Sequence, residues 1–106
     1  MADQVSASHI LLMYEGSANS TASRSKEEAA VEIERLRQEI EGGADFAELA
    51  REHSDCPSGG DGGALGMFGR GQMVPEFETA SFALEIGATS ATVETDFGFH
   101  LIQRTG

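Results

Sequence analysis

The chain has 106 residues, enough for one domain with one core and too few for two domains of ordinary size. Its composition, 40% hydrophobic and 24% charged, is that of a globular domain, and no apolar run approaches the roughly 18 residues of a membrane-spanning helix. The formal net charge of −11 makes nucleic acids and anionic lipids poor candidate partners. We therefore expect a single domain spanning residues 1–106.

The cysteine content and the first residues indicate in which cellular compartment we expect the protein. Cys56 is the sole cysteine, so no internal disulfide can form, and the acidic start lacks the basic and apolar regions of a signal peptide. These features favour a reducing, cytoplasmic location and a monomer. Residues 19–21 match the glycosylation pattern, but without secretion we interpret them as a polar loop.

The segment 5–13 is predicted to be the first β-strand, because its side chains divide between two faces by strict alternation. Ile10 and Leu12 would lie on one face with two serines. His9 would lie on the opposite, mostly apolar face. The residues of that face are Val5, Ala7, His9, Leu11 and Met13.

Two capping signals predict two consecutive helices. Ser25 with Glu28 forms an S-x-x-E capping box, and the helix that it begins would end at Gly42-Gly43. Asp45 with Glu48 repeats the same start signal. The predicted apolar positions are Ala29, Ile33, Leu36 and Ile40 in the first helix, and Phe46, Leu49, Ala50 and His53 share one side of the second.

A glycine-rich stretch follows, in which residues 64–68 read as a short strand where backbones approach closely. Pro75 is suited to the first position of a third helix, because the N–H that proline lacks would have no helical partner there. The apolar side of this helix would carry Phe77, and Gly87 would end it.

Two final strands are predicted at 89–95 and 99–104, joined by a turn in which Gly98 can adopt positive φ. The element order β-α-α-β-α-β-β predicts an α+β fold.

Four side chains could support chemistry near neutral pH: His9, His53, Cys56 and His100. His9 and His100 fall on the first and last strands, which could be neighbours and bring two imidazoles within hydrogen-bonding distance. A buried histidine is more often only a satisfied core residue, and that interpretation stays open.

Cys56 follows a predicted helix end, whose negative potential disfavours a thiolate nucleophile. Free cysteine is most often a small buried hydrophobe, and that interpretation of this side chain stays open. Together with the three histidines it could form a zinc site, but paired modules such as C-x₂-C are absent and we expect no bound metal.

An apolar set in the second half of the chain would ordinarily be core alone. Its members are Leu65, Met67, Phe68, Met73, Phe77 and Phe82. From the residues by themselves, the sequence indicates an α+β domain with a possible His/Cys pocket.

Five segments, taken together and in order, resemble the parvulin family of peptidyl-prolyl cis/trans isomerases. They are Ser8-His9-Ile10-Leu11, Ser54-Asp55-Cys56, the run 63–73, the run 77–84 and Thr95-Asp96-Phe97-Gly98-Phe99-His100. The resemblance covers about residues 6–105 and is strongest to the Pin-type branch.

The resemblance implies a four-stranded antiparallel sheet surrounded by helices, and it implies roles for individual residues. His9, Cys56, Thr95 and His100 would be catalytic, with the two histidines hydrogen-bonded beneath the substrate. The proline ring would bind against Leu65, Met73 and Phe77, with Gln72 and Phe68 shaping the pocket wall. No cofactor would be needed.

The implied activity is rotation of X–Pro bonds in proline-containing protein segments, by non-covalent stabilisation of the twisted amide. A non-catalytic peptide-binding module is the alternative. The Pin-type branch reads phosphate with a basic cluster after the first strand, whereas here no Lys or Arg occurs between Met13 and Arg24. We therefore expect an isomerase that is not directed by phosphate.

Overall fold

The structure is a computed structural model that describes residues 4–17, 20 and 22–106. The three N-terminal residues, and positions 19 and 21 of the glycosylation pattern, lie outside this part of the chain. The strands are β1 (Gln4–Leu12), β2 (Ala64–Gly69), β3 (Val93–Thr95) and β4 (Gly98–Arg104), and the helices are α1 (Lys26–Glu41), α2 (Phe46–His53) and α3 (Pro75–Ala83), with a 3₁₀ helix at Pro57–Asp61. The predicted element order and the α+β class are confirmed.

The four strands form one antiparallel sheet in the order β2-β1-β4-β3. The first and last strands of the chain are therefore its central pair, in a register that places His9 opposite Ile102 and Leu11 opposite His100. This pairing confirms the predicted neighbourhood of the two histidine-bearing strands. The centre of the sheet is therefore formed by residues that lie far apart in sequence.

Each face of the sheet is covered by its own hydrophobic cluster, as the alternation in β1 predicts. The α1/α2 face buries Ile10 and Leu12 with apolar side chains of both helices. The α3 face buries Val5 and Ala7 with Phe77. His9 belongs to the α3 face, because its ring contacts Phe77.

The helix starts follow the predicted capping chemistry. Ser25 Oγ accepts a hydrogen bond from Glu28 N–H at 3.1 Å, and the Glu28 carboxylate accepts from Ser25 N–H at 2.7 Å. Asp45 accepts from Glu48 N–H at 3.2 Å, and Pro75 is the first residue of α3. None of the helices in the described residues has the length and apolar character that a bilayer crossing requires.

The segment after α3 differs from the prediction. The helix ends at Ala83, not near Gly87, because the chain turns back to the sheet early: Gly87 N–H donates to Arg104 C=O at 2.7 Å. Strand β3 has three residues, and the expected strand from Thr89 contributes only an isolated bridge to Gln103.

The β3–β4 turn closes against the end of β1. Gly98 adopts φ +140°, and a Cβ placed there would lie 2.3 Å from Leu12 C=O. Glycine at this position therefore lets β4 begin directly beside β1.

Candidate active site

The site is built on two imidazoles from the central strands. His9 Nδ1 and His100 Nδ1 lie 3.2 Å apart, with ring planes inclined by 18°. Thr95 Oγ1, at the end of β3, lies 2.7 Å from His100 Nε2 and also accepts a hydrogen bond from Phe97 N–H. The network therefore links three strands through buried polar side chains.

Burial fixes the charge state of this pair. Desolvation lowers the pKa of His9 to about 4, and desolvation with the neighbouring His9 lowers the pKa of His100 to about 4. A hydrogen bond between the two Nδ1 atoms also requires one of them to lack a proton. Both rings are therefore neutral at pH 7.

The segment that carries Cys56 is fixed to the end of β1. Ser54 Oγ accepts from Leu11 N–H at 3.1 Å, and Asp55 N–H donates to Leu11 C=O at 2.7 Å. The Asp55 carboxylate also accepts from Met13 N–H at 2.8 Å. These bonds hold the half-buried Cys56 side chain beside the histidine-bearing strand.

A cavity of about 240 Å³ opens between this segment, the sheet and α3. One part of its wall is polar, with the thiol and two imidazoles, and the rest is mainly apolar. The lining residues are His9, Cys56, Leu65, Gln72, Met73, Val74, Phe77, Phe97 and His100.

Phe77 joins the apolar wall to the histidine pair. It lies in the first turn of α3, and its ring meets each imidazole at 5.4 Å between centroids and an interplanar angle of 81°. Edge-on contacts of this kind are favourable between aromatic rings. The neutral imidazoles thus lie directly against the apolar part of the cavity wall.

A close backbone approach brings the start of β2 to the site. His9 N–H donates to Gly63 C=O at 2.9 Å, and Gly63 has φ +84°. A Cβ at this position would lie 2.3 Å from the His9 carbonyl oxygen, so only glycine fits. This contact places Leu65, two residues later, in the cavity wall.

Most of the predicted site residues meet here. Thr95 contacts His100 and is not among the residues that line the cavity. Phe68, predicted to shape the wall, does not line the cavity: it is 3% exposed and packs against Phe77, with ring centroids 6.0 Å apart. Sequence reasoning missed Val74 and Phe97, although an aromatic residue within the short Asp96–Gly98 turn was a usable signal.

His53 lies elsewhere. It lines a separate polar cleft with Glu32 and Glu52, and its Nδ1 lies 4.0 Å from a Glu32 carboxylate oxygen. The four residues of the zinc alternative, His9, His53, Cys56 and His100, therefore do not line one cavity. Within the described ranges, no group of three or more His, Cys, Asp or Glu side chains is arranged to hold a metal ion.

Comparisons with known proteins agree with this geometry. The family model described as "PPIC-type PPIASE domain" matches residues 1–106. Peptidyl-prolyl cis-trans isomerase Pin1 of Arabidopsis thaliana is 46% identical over 97% of this chain and 96% of its own length, and Pin1 of Digitalis lanata is 42% identical over 98% of both. The solved structure of the peptidyl-prolyl isomerase ESS1 from Candida albicans superposes with a TM-score of 0.89 at 38% identity, covering 98% of this chain and 63% of that one.

The family model and these relatives match nearly the whole chain, and the sheet and helices have the same arrangement as in the solved relative. The enzymatic interpretation is therefore favoured over a non-catalytic binding module. This chain belongs to the parvulin-type family of peptidyl-prolyl cis/trans isomerases.

Proposed function

We propose that the 240 Å³ cavity is the isomerase site and that it acts without covalent chemistry. The proline ring of the substrate binds against Leu65, Met73 and Phe77. The carbonyl that precedes proline then rotates past Cys56 and the histidine pair. No bond is made or cleaved, and no proton needs to be transferred.

A site that only binds the twisted amide can lower the barrier to rotation of an X–Pro bond. Rotation about an X–Pro bond meets a barrier of about 18–20 kcal/mol, because the resonance of the planar amide must be broken. Each ~1.4 kcal/mol of preferential binding to the twisted amide accelerates rotation about tenfold. Contact with the proline ring and a cavity that excludes water from the rotating carbonyl can supply several such factors.

The two kinds of polar group have separate roles in this proposal. The His9–His100 pair, neutral and held by Thr95, is mainly architectural and gives the cavity an uncharged floor. Cys56 adjusts the electrostatics at the rotating carbonyl, without attacking it. The observation that carries the proposal is the presence of an apolar wall and the thiol–imidazole cluster in one cavity.

Truncation of the apolar wall tests this assignment. We expect Met73→Ala to lower kcat/KM about tenfold, because burial of a methionine side chain is worth roughly 1.5–3 kcal/mol. Met67→Ala is the matched control, since Met67 is 67% exposed on β2 and does not line the cavity. Equal effects of the two substitutions in a protease-coupled or NMR exchange assay would place the site elsewhere.

We also propose that the enzyme is not directed by phosphate. Support comes from the two basic side chains that follow β1. Arg24 donates to Asp55 at 2.6 Å and to Met13 C=O, and Lys26 pairs with Glu94 at 2.9 Å. A phosphate of about −2 charge would have to displace carboxylates from these cations in a chain of net charge −11.

Peptides that differ only in the residue before proline test whether phosphate directs the enzyme. We expect Ser-Pro and apolar X-Pro peptides to have a higher kcat/KM than the phosphoserine-Pro peptide, with Glu-Pro close to the phosphorylated one. A clear preference for the phosphorylated peptide would contradict the proposal.

Finally, we infer that residues 1–106 act as one monomeric domain in the cytoplasm and assist protein folding or conformational switching. The shared sheet, covered on both faces, supports one domain, and Cys56 as the sole cysteine supports a reducing compartment. Sedimentation analysis tests the monomer, and acceleration of a proline-limited refolding reaction tests the assistance.

A further inference from the structure

The loop between β2 and α3, residues 70–74, supplies the cavity wall from outside regular structure. It contributes Gln72, Met73 and Val74 to the lining, and it connects Gly69 at the end of β2 to Pro75 at the start of α3. A wall built on a loop binds proline well only if the loop is held in place before the substrate arrives. The contacts that hold this loop therefore affect substrate affinity.

Two side-chain contacts hold the first half of the loop, in addition to the turn bond from Gln72 N–H to Gly69 C=O at 3.4 Å. Gly69 N–H donates to Gln72 Oε1 at 2.6 Å, which closes the turn on itself. The Arg70 guanidinium lies 4.1 Å from the centroid of the Phe82 ring, a cation–π contact with α3. Neither contact reaches the backbone of Gly71, which lies between them.

The third contact comes from Glu78. Gly71 N–H donates to Glu78 Oε1, across seven residues of sequence. Glu78 is half-buried on α3, directly after the cavity residue Phe77, and its own N–H donates to Val74 C=O at 3.0 Å. Its side chain and its backbone thus join the middle and the end of the loop to the helix that carries Phe77, although Glu78 does not line the cavity.

We propose that Glu78 is a positioning residue, which fixes the loop so that Met73 and Gln72 stand ready against the proline ring. The inference rests on the proposed function of the cavity. Without the carboxylate, water takes over Gly71 N–H and the loop samples other conformations. Substrate binding must then order the loop, which raises KM, whereas Cys56 and the histidines are untouched and kcat is preserved.

Steady-state kinetics of three Glu78 variants and one control test this role. We expect Glu78→Ala and the shorter Glu78→Asp to raise KM about threefold to tenfold, the scale of one ordinary hydrogen bond lost at a half-buried position, with little change in kcat. Glu78→Gln keeps an acceptor for Gly71 N–H and should recover most of the affinity. Glu76→Ala is the matched control, because the described structure gives this exposed glutamate of the same helix turn no hydrogen bond or ion pair, and it should behave as wild type.

An unchanged KM in Glu78→Ala, or a fall in kcat without a rise in KM, would overturn the inference. So would a Gln variant that is no better than Ala. If Glu78→Ala does not fold, as judged by circular dichroism, the comparison of Glu78→Asp with Glu78→Gln decides. Met73→Ala in the same assay separates the two proposals. If kcat/KM falls in Met73→Ala while KM is unchanged in the Glu78 variants, only the positioning role is wrong. If kcat/KM is unchanged in Met73→Ala, the cavity assignment itself is wrong.

Discussion

Two imidazoles that share one hydrogen bond cannot both be protonated without losing that bond. His9 and His100 are 6% and 5% exposed, and their Nδ1 atoms lie 3.2 Å apart. A second proton would remove the acceptor and place two positive charges on facing rings. The contact therefore disfavours the doubly protonated pair, whereas burial disfavours any charge on either ring.

This pair makes stability depend on pH in a defined window. An unfolded imidazole has a pKa of about 6.5, so the unfolded chain binds more protons than the native one until pH falls to the native pKa of about 4. The free energy of unfolding should fall as pH decreases through this range, by on the order of a few kcal/mol. Urea denaturation between pH 7 and 5 measures the slope, and NMR titration of the two imidazoles identifies its source. A flat profile, or rings that titrate near 6.5, would contradict the neutral pair.

The pH range also separates this effect from that of a hydrogen-bonded carboxylate such as Glu28. The backbone hydrogen bond at Ser25 lowers the pKa of Glu28, whose usual value is 4.5, so its contribution to stability is lost only at lower pH. The slope between pH 6.5 and 5 therefore belongs to the histidines.

Cys56 gives a second prediction at the scale of one side chain. We expect Cys56→Ala to lower kcat/KM by about tenfold or more, and Cys56→Ser, which keeps a polar group, to lower it less. The intact mass of the wild-type enzyme should stay unchanged during turnover, because no bond to substrate forms. A covalent adduct on Cys56, or full activity of the Ala variant, would contradict the electrostatic role.

At the scale of elements, α1 shows which local interactions matter. Its exposed ion pairs, such as those of Arg35 with Glu32 and Glu39, are worth little individually in water. The capping box at Ser25 satisfies backbone donors that would otherwise lack a helical partner. The start of α1 is therefore the more sensitive position.

Ser25→Ala tests this ranking. We expect a loss of about 0.5–2 kcal/mol in the free energy of unfolding, with kcat/KM unchanged because the cavity is built from other elements. The exposed Ser23, two residues earlier, is the matched control and should tolerate alanine. Equal stability of the two variants would show that packing of α1 alone determines its start.

The difference between local and long-range interactions explains how far the sequence predicts the fold. Helix starts at Ser25, Asp45 and Pro75 depend on chemistry within four residues, and the structure has each of them. The 3₁₀ helix at Pro57–Asp61 and the short β3 depend on neighbours distant in sequence. Ser90, for example, lies outside the strands. Its N–H donates to Ile102 C=O, and its Oγ accepts a hydrogen bond from Ile102 N–H.

The candidate site is harder to predict because it exists only in the whole molecule. Its histidines are 91 positions apart and meet because β1 and β4 are the central strands. Alternation places His9 on the correct face, but nothing in the local pattern of β2 shows that Phe68 is buried behind the wall and does not line it. The grouping of the cavity residues came from resemblance to a family, not from periodicity.

Net charge acts on the whole molecule as well. A charge of −11 creates a field that raises the local concentration of cationic peptides and repels anionic ones. At low ionic strength, kcat/KM for a proline peptide flanked by lysines should exceed that of the matched peptide flanked by glutamates. The difference should shrink as salt rises and nearly vanish at about 1 M, where the screening length is about 3 Å.

The salt series distinguishes this long-range effect from direct contacts. A difference that persists at high salt would mean that carboxylates at the cavity rim bind the flanking side chains directly, because close pairs are screened much less. A preference for the glutamate-flanked peptide at low salt would contradict the prediction altogether. It would show that cations close to the cavity outweigh the acidic remainder of the chain.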